Sequence, residues 1–341
     1  MNVHELPMII FTVIAQMCVG TFVVLGILTL VASVRHDRQT VERLTEPVVY
    51  AIGPALVLGL AASTLHMNDV TNTLNVFRNV GSSWLSREIV CGMAFAGLGF
   101  AFALMQWFKV GTIRVRRLLA GATAVAGIAL VWSMSQIYYV LVTVPAWHTP
   151  VVPFHFFATT LMLGALAAGC ALMVTDAVRR RAATRAGGPD RPAPPASTAP
   201  TGRGAALATL VRTRVTEINR PTTSTEWALT TRTLQWLALG TAVVGVAVLI
   251  SYPLHTAALA ADPVGSASAQ VFSGAFFVTR LVLLGLATVV LALFTYRTAS
   301  AAAQERPQLL TALITAAFVL ALAAELMGRS LHYDSMIRIG I

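Results

Sequence analysis

The 341-residue chain is far more apolar than a water-soluble protein: 56% of its residues are hydrophobic, only 11% are charged, and its mean hydropathy is +0.73. Soluble domains average about 25% charged residues, so the composition excludes an ordinary soluble enzyme. The net charge of +10 raises the question of a nucleic-acid partner, which the positions of the basic residues must answer.

Eight apolar runs are long enough to cross a membrane as helices, which requires about 20 mainly apolar residues each. The strands of a membrane barrel would instead form short alternating segments. The first run has no basic segment before it and is too long for a signal peptide, so a retained helix is predicted. The sequence predicts an all-α bundle of eight transmembrane helices, at about 8–32, 47–65, 88–107, 118–140, 152–176, 233–253, 270–295 and 308–328.

The basic residues lie mainly on one side of these spans. Assigning the loops alternately puts nineteen of the 24 Lys and Arg residues on one side and four on the other. Because cytoplasmic loops are enriched in Lys and Arg, the N and C termini are predicted to be non-cytoplasmic. The basic charge then reflects membrane topology, and no nucleic-acid partner is expected.

A polar segment at 177–232 divides the chain into a region of helices 1–5 (1–176) and a region of helices 6–8 (233–341). Its middle, 187–202, is rich in Pro, Gly, Ala and Ser. Such a composition buries too little apolar surface to offset the entropy lost on ordering. The segment is therefore predicted to be a cytoplasmic and largely disordered linker.

The three cysteines, Cys18, Cys91 and Cys170, lie in different apolar runs without CxxC or CxxCH spacing. The usual patterns of an iron–sulfur cluster, a c-type haem and a disulfide framework are thus excluded. We expect packing roles for the cysteines and no metal in this protein.

Polar and titratable residues gather at the predicted non-cytoplasmic ends of the helices, including six of the seven histidines when His255 is counted. In a protein with so few charges, this collection is a candidate functional site, although helix ends carry polar residues in any membrane protein. The group comprises His4, Glu5, His66, Asp69, Asn72, Asn75, Arg78, Arg87, Glu88, Trp147, His148, His155, His332 and Tyr333.

The segment 65–88, LHMNDVTNTLNVFRNVGSSWLSRE, resembles a loop of a known family. It is similar to the loop between the second and third helices in the membrane-anchor subunits of bacterial dimethyl sulfoxide reductases, the DmsC family. Further similar segments follow the same order along the sequence, at 4–16, 143–147, Arg280 and 324–329. Two features depart from the family: Asn72 stands where a basic residue is expected, and the linker is longer and richer in Pro and Ala.

The resemblance implies a multi-pass anchor in the bacterial cytoplasmic membrane. Such an anchor holds a molybdenum catalytic subunit and an iron–sulfur electron-transfer subunit on the non-cytoplasmic face. It oxidises menaquinol without haem and passes the electrons to the iron–sulfur subunit, for anaerobic respiration with dimethyl sulfoxide or a similar acceptor. Carried over residue by residue, the resemblance places the quinol site at His66, Asn75, Arg78 and Glu88.

Quinol oxidation releases two electrons and two protons, and two of these residues suit that chemistry. A histidine, or a carboxylate at a bilayer boundary, can take a proton near neutral pH. His66 ends the second span and Glu88 begins the third, so antiparallel packing brings them to a similar depth. We expect His66 to accept a hydrogen bond and Glu88 to accept a proton, whereas Arg78 could instead contact a partner subunit or a lipid head group.

Other polar residues have structural explanations. Arg280 lies inside the seventh span and Glu325 near the outer end of the eighth. Because a lone guanidinium in hydrocarbon is costly, these two residues are predicted to pair. Four aromatic or histidine side chains near span ends are expected to be interface anchors: Tyr138, Tyr139, His148 and His155.

Three alternatives stay open at this point. A cytochrome b anchor normally needs paired histidines inside the helices, whereas these histidines lie at span boundaries. A secondary transporter normally has broken helices or buried charges near the midplane, where Arg280 is the one charged residue. A passive anchor without quinol chemistry is also compatible with the sequence, and the terminal substrate of the complex is not encoded in this protein.

Overall fold

The computed structural model of the protein describes residues 5–64, 77–186, 203–301 and 306–339. Over these ranges the protein is helical, without strands. Eleven α-helices and one π-helical segment follow in order: α1 Leu6–Ala32, α2 Arg38–Thr64, α3 Trp84–Phe108, α4 Ile113–Tyr139, α5 Val151–Ala186, α6 Arg203–Ile218, α7 Ser224–Ala261, α8 Ser266–Val271, α9 Ala275–Gly285, the π-helical Leu286–Leu291, α10 Ala292–Ala301 and α11 Pro307–Asp334.

Within the described ranges, eight helical stretches are long and apolar enough to span a membrane, which confirms the predicted number of spans. Seven are α1 to α5, α7 and α11. The other is the continuous stretch of α9, the π-helical segment and α10. The spans run longer than the apolar runs alone suggested. In particular, α7 has 38 residues and begins at the Thr223–Glu226 capping box, in which each side chain bonds the other residue's backbone N–H.

The predicted seventh span at 270–295 is interrupted near its start. The short α8 ends at Val271, and the membrane-spanning stretch begins at Ala275, after a turn that contains Ser273 and Gly274. This turn places Arg280 in the second turn of α9.

The linker contains one element that was not predicted from the sequence. Helix α6 lies at the end of the bundle where α5 ends and α7 begins, which is called here the linker end. Arg43 of α2 donates hydrogen bonds to the carbonyls of Glu217, Arg220 and Pro221, which fixes the exit of α6. The Pro- and Ala-rich run 187–202 lies outside the described residues, so its expected disorder stays a prediction.

The eight crossings return the polypeptide to the end where it began, which is called the termini end. There the Ile339 backbone N–H donates to the Thr143 carbonyl in the α4–α5 loop. Which side of the membrane this end faces stays a prediction from the distribution of basic residues.

Helices α1 and α5 make the closest approach in the core. Gly20 of α1 faces Gly164 of α5, and a Cβ atom at either glycine would clash with the backbone of the opposite helix. Small residues allow such contact between membrane helices, where dispersion and not water exclusion drives association. The α1–α5 pair is therefore the centre around which α2, α4, α7 and α11 pack.

Candidate functional site at the termini end

Glu88 is nearly buried, with 7% of its surface exposed, in the second turn of α3 at the termini end. Ser83 caps the start of this helix by accepting the Ser86 backbone N–H. Among the described residues, none donates a hydrogen bond to the Glu88 carboxylate, whereas the Arg329 guanidinium interacts with it electrostatically. The carboxylate therefore lies near a fixed positive charge in a largely buried position.

The segment that leads into α3 is held by the neighbouring arginine. The Arg87 guanidinium donates to the carbonyls of Val80 and Gly81 at 2.8 and 2.7 Å and stacks over the Trp84 ring at 4.2 Å. Arg78 lies just before this segment, in a single helical turn, and is exposed. Arg87 thus orders the approach to Glu88, while Arg78 is left at the surface.

Arg329 of α11 joins the first and last helices beside Glu88. Its Nη2 donates to Gln16 Oε1 at 2.9 Å, and the Gln16 amide donates to the Phe156 carbonyl at 3.1 Å. The guanidinium also lies 3.8 Å from the centre of the Phe156 ring. Gln16 is fully buried, so this network fixes one positive charge inside the bundle.

Aromatic side chains cover the outer side of this network. The Tyr138 and Tyr333 hydroxyls are 2.6 Å apart, and the Trp147 indole N–H donates to the His332 carbonyl at 2.8 Å. The Trp147 and His332 rings stack with centroids 5.0 Å apart. Tyr138 is 8% exposed, so its expected role as an interface anchor is wrong: the last turn of α11 covers it.

A buried ion pair lies deeper in the same end of the bundle. Arg280 Nη2 and Glu325 Oε1 are 3.4 Å apart, which confirms the predicted pairing of the seventh and eighth spans. The Thr159 hydroxyl donates to the other Glu325 oxygen at 2.5 Å, and Arg280 lies 4.2 Å from the centre of the Tyr252 ring. These contacts stabilise a charge that hydrocarbon alone would exclude.

A cavity of about 40 Å³ connects the ion pair with Arg329 and extends toward Ser335 beyond the end of α11. Three buried nitrogen atoms in its lining residues have no hydrogen-bond partner in the described part of the protein: Arg280 Nη1, Arg329 Nε and His332 Nε2. This volume holds about three water molecules. The cavity is too small for a quinone ring, and it suits water that bonds these nitrogens.

Of the four residues assigned to the quinol site, Glu88 lies in the buried polar network and Arg78 lies outside it. His66 and Asn75 fall outside the described residues, as do His4, Asp69 and Asn72. Sequence reasoning did not identify Gln16 or Arg329 as partners at this site. Two features of the sequence could have identified them. Gln16 is the one amide side chain in the run 8–32, and Arg329 is an arginine directly after the run 308–328.

Residues 1–185 match the family described as DMSO reductase anchor subunit (DmsC). The protein is 33% identical over 163 residues to a polypeptide of the anaerobic dimethyl sulfoxide reductase of Escherichia coli, covering 48% of this sequence and 56% of that one. It is 29% identical over 181 residues to a polypeptide of the anaerobic dimethyl sulfoxide reductase of Haemophilus influenzae, covering 52% and 62%. It is also 29% identical over 131 residues to one subunit of the sulfite dehydrogenase of Allochromatium vinosum, covering 34% and 39%. The matched regions thus span less than two thirds of each relative.

Proposed function

Because this protein belongs to the family of DMSO reductase anchor subunits, we propose that it anchors a molybdenum oxidoreductase complex and oxidises menaquinol for it. It is a multi-pass protein of the bacterial inner membrane. In the proposed reaction the electrons leave through an iron–sulfur subunit and reduce dimethyl sulfoxide or a similar acceptor at the molybdenum subunit.

The observation that carries the proposal is the environment of Glu88. A buried carboxylate without a hydrogen-bond donor from the described residues can receive a quinol hydroxyl. Arg329 supplies a fixed positive charge nearby and is itself held by Gln16.

The reaction needs acceptors for two protons as well as two electrons. One quinol hydroxyl donates its proton to the Glu88 carboxylate. The other donates a hydrogen bond to His66, through which its proton passes to water at this end of the bundle. The two electrons pass to the iron–sulfur subunit, and quinone leaves. Arg329 places a fixed positive charge near the Glu88 carboxylate that receives the proton.

Asn75 and Arg78 belong to the same proposed site through the 65–88 loop. The described part of this loop, fixed by Arg87, leads to the start of α3 next to Glu88. Because Arg78 is exposed, it could contact quinol at the entrance of the site, or it could contact the iron–sulfur subunit.

The partner subunits are proposed to dock on the termini end. Electron transfer by tunnelling requires the iron–sulfur cluster to lie near the quinol, and Glu88 is at this end of the bundle. If the termini end is non-cytoplasmic, the protons are released on the side from which they are taken up at the acceptor, and turnover is electroneutral. Protease added from the non-cytoplasmic side should cleave the partner subunits. Partner subunits that are cleaved only by protease on the cytoplasmic side would contradict this arrangement.

The test is menaquinol-dependent reduction of the acceptor by the purified complex carrying Glu88→Gln. The variant keeps the shape of the side chain but cannot accept a proton, so we expect a rate about 100-fold lower with the complex intact. Asp334→Asn is the matched control, because Asp334 is an exposed carboxylate at the same end of the bundle. A normal rate in Glu88→Gln would leave a passive anchor as the function.

The identity of the acceptor needs a separate measurement. Relatives named for dimethyl sulfoxide reductase and for sulfite dehydrogenase support a membrane oxidoreductase complex but differ in the substrate of their names. Purification in mild detergent, identification of the co-purifying proteins and analysis of molybdenum and iron will determine the partners. A preparation that holds neither metal nor a second protein would contradict the proposed complex.

A further inference from the structure

A second cavity, of about 290 Å³, lies at the linker end, on the opposite side of the bundle from Glu88. It is bounded by the start of α2, the end of α3, the end of α5 and the last turns of α6. Its volume is close to the lower limit of about 300 Å³ for small-molecule sites. Five basic side chains line it: Arg38, Arg43, Lys109, Arg179 and Arg214.

Four of these basic side chains have carboxylate partners. Arg38 and Lys109 pair with Glu42 at 2.5 and 2.7 Å. Lys109 also contacts Glu46, which in turn pairs with Arg214 at 2.9 Å. The remaining pairs are Arg214 with Glu217 and Arg43 with Glu226.

Arg179 is the exception among the lining residues. Its Nε donates to the Ile218 carbonyl at 2.8 Å and its Nη2 to the Arg43 carbonyl at 2.9 Å, and it forms no ion pair with a described carboxylate. The nearest acidic residues, Asp176 and Glu226, are already paired with Arg180 and Arg43. With 4% of its surface exposed, Arg179 is a nearly buried charge without a counter-ion of its own among the described residues.

The charge balance of the cavity agrees with this. Five basic side chains and three carboxylates, Glu42, Glu46 and Glu217, line the cavity. Glu226, which does not line the cavity but pairs with Arg43, adds a fourth negative charge. One positive charge therefore remains in excess. A buried cation without a partner is costly, and a bound anion removes this cost.

The surroundings of the cavity indicate where this anion comes from. On α5, Val174 and Val178 lie one turn apart and are 47% and 46% exposed, directly before Arg179. On α6, Leu210 is 56% exposed. A basic pocket at the end of membrane helices lies at the level where the phosphate groups of lipids meet their acyl chains, and the exposed apolar side chains of such helices face those acyl chains.

We propose that this cavity binds the phosphodiester head group of one anionic phospholipid, with Arg179 as its counter-ion. The guanidinium group matches phosphate geometry, and Arg38 adds a more exposed donor at the rim. The bound lipid would connect α5 and α6 with the start of α2. This proposal is independent of the quinol chemistry at the other end of the bundle.

The test uses the full-length protein, purified in mild detergent and depleted of lipid, with bound lipid counted by native mass spectrometry. We expect one phosphatidylglycerol molecule to bind more tightly than phosphatidylcholine. Arg179→Gln should weaken that binding about fivefold or more. Arg181→Gln is the matched control, because it removes the same charge from an exposed position on the same helix and should leave the first bound lipid in place.

A second variant keeps the test informative if Arg179→Gln does not fold. Arg38→Gln removes a cavity cation whose partner, Glu42, keeps its contact with Lys109, so it should fold and still bind lipid more weakly. Equal binding by wild type and Arg179→Gln overturns the proposal, and so does equal retention of phosphatidylglycerol and phosphatidylcholine. Binding of inorganic phosphate alone, without preference for the anionic lipid, refutes the lipid as occupant.

Discussion

Arg329 of the last membrane helix donates a 2.9 Å hydrogen bond to Gln16 of the first, inside the bundle and beside the carboxylate of Glu88. This contact joins residues 313 positions apart and holds a charge where hydrocarbon would otherwise surround it. Both the stability of the bundle and the proposed quinol chemistry depend on it.

Gln16→Leu should destabilise the protein, because Arg329 loses its acceptor and remains buried. We expect a loss of about 2–3 kcal/mol in the free energy of unfolding, the usual cost of an unsatisfied charged group. Thermal unfolding of the purified protein measures it. Gln136→Leu is the control, since the Gln136 amide nitrogen is buried without a partner among the described residues and its removal should cost little. Equal effects of the two substitutions would contradict the role given to the Gln16–Arg329 contact.

Arg329→Gln should slow quinol oxidation although Arg329 lies outside the 65–88 loop. The substitution keeps hydrogen-bonding capacity but removes the positive charge near Glu88. We expect a lower maximal rate of menaquinol-dependent turnover in an assembled complex, compared with Arg338→Gln, which removes an exposed arginine at the same end. An unchanged rate would show that Arg329 is only structural.

Gly328→Ala should displace the neighbouring guanidinium. A Cβ atom at Gly328 would lie 2.6 Å from Arg280 Nε, so the pair with Glu325 must shift. We expect a loss of about 1–3 kcal/mol, as for other overpacked interiors. The control is Gly97→Ala, where a Cβ meets nothing within 4 Å and should slightly favour the helix. Thermal unfolding compares the two, and equal stability would refute the close packing of Arg280.

Breaking the Arg280–Glu325 pair on one side should cost more than replacing both members. Arg280→Met or Glu325→Met alone leaves a buried charge, at a cost of about 3–5 kcal/mol. The double variant leaves neither charge, so its loss should be smaller than the sum of the two single losses. A double-mutant cycle on thermal unfolding provides the measurement. If the loss of stability in the double variant equals the sum of the two single losses, the 3.4 Å contact contributes no interaction energy.

The membrane spans were predictable because each requires a long apolar run, and that requirement is visible in the sequence alone. The Arg280–Glu325 pair was predictable for a related reason: a guanidinium in hydrocarbon needs a partner, and few are available. Helix α6 was not predicted, because its apolar residues are interspersed with arginines and its packing depends on contacts from Arg43 and Arg179.

The candidate site was only partly predictable. The resemblance selected Glu88, which is buried near Arg329, and its role in quinol oxidation stays a prediction. The expectation that Tyr138 is an interface anchor was wrong, because its position near a span end does not reveal that Tyr333 and the last turn of α11 cover it. Contacts between residues far apart in sequence, such as Gln16 with Arg329, depend on which helices become neighbours, and a single sequence does not specify this.

The close contact of Gly20 with Gly164 also has a consequence for the order of assembly. Both glycines precede the linker, so α1 and α5 can lock together while the ribosome is still synthesising the last three membrane helices. The later helices then dock onto a finished five-helix unit, and Arg329 meets Gln16 only when the final helix arrives. Completion of the site around Glu88 would thus wait until α11 has docked, and the proposed quinol chemistry would wait with it.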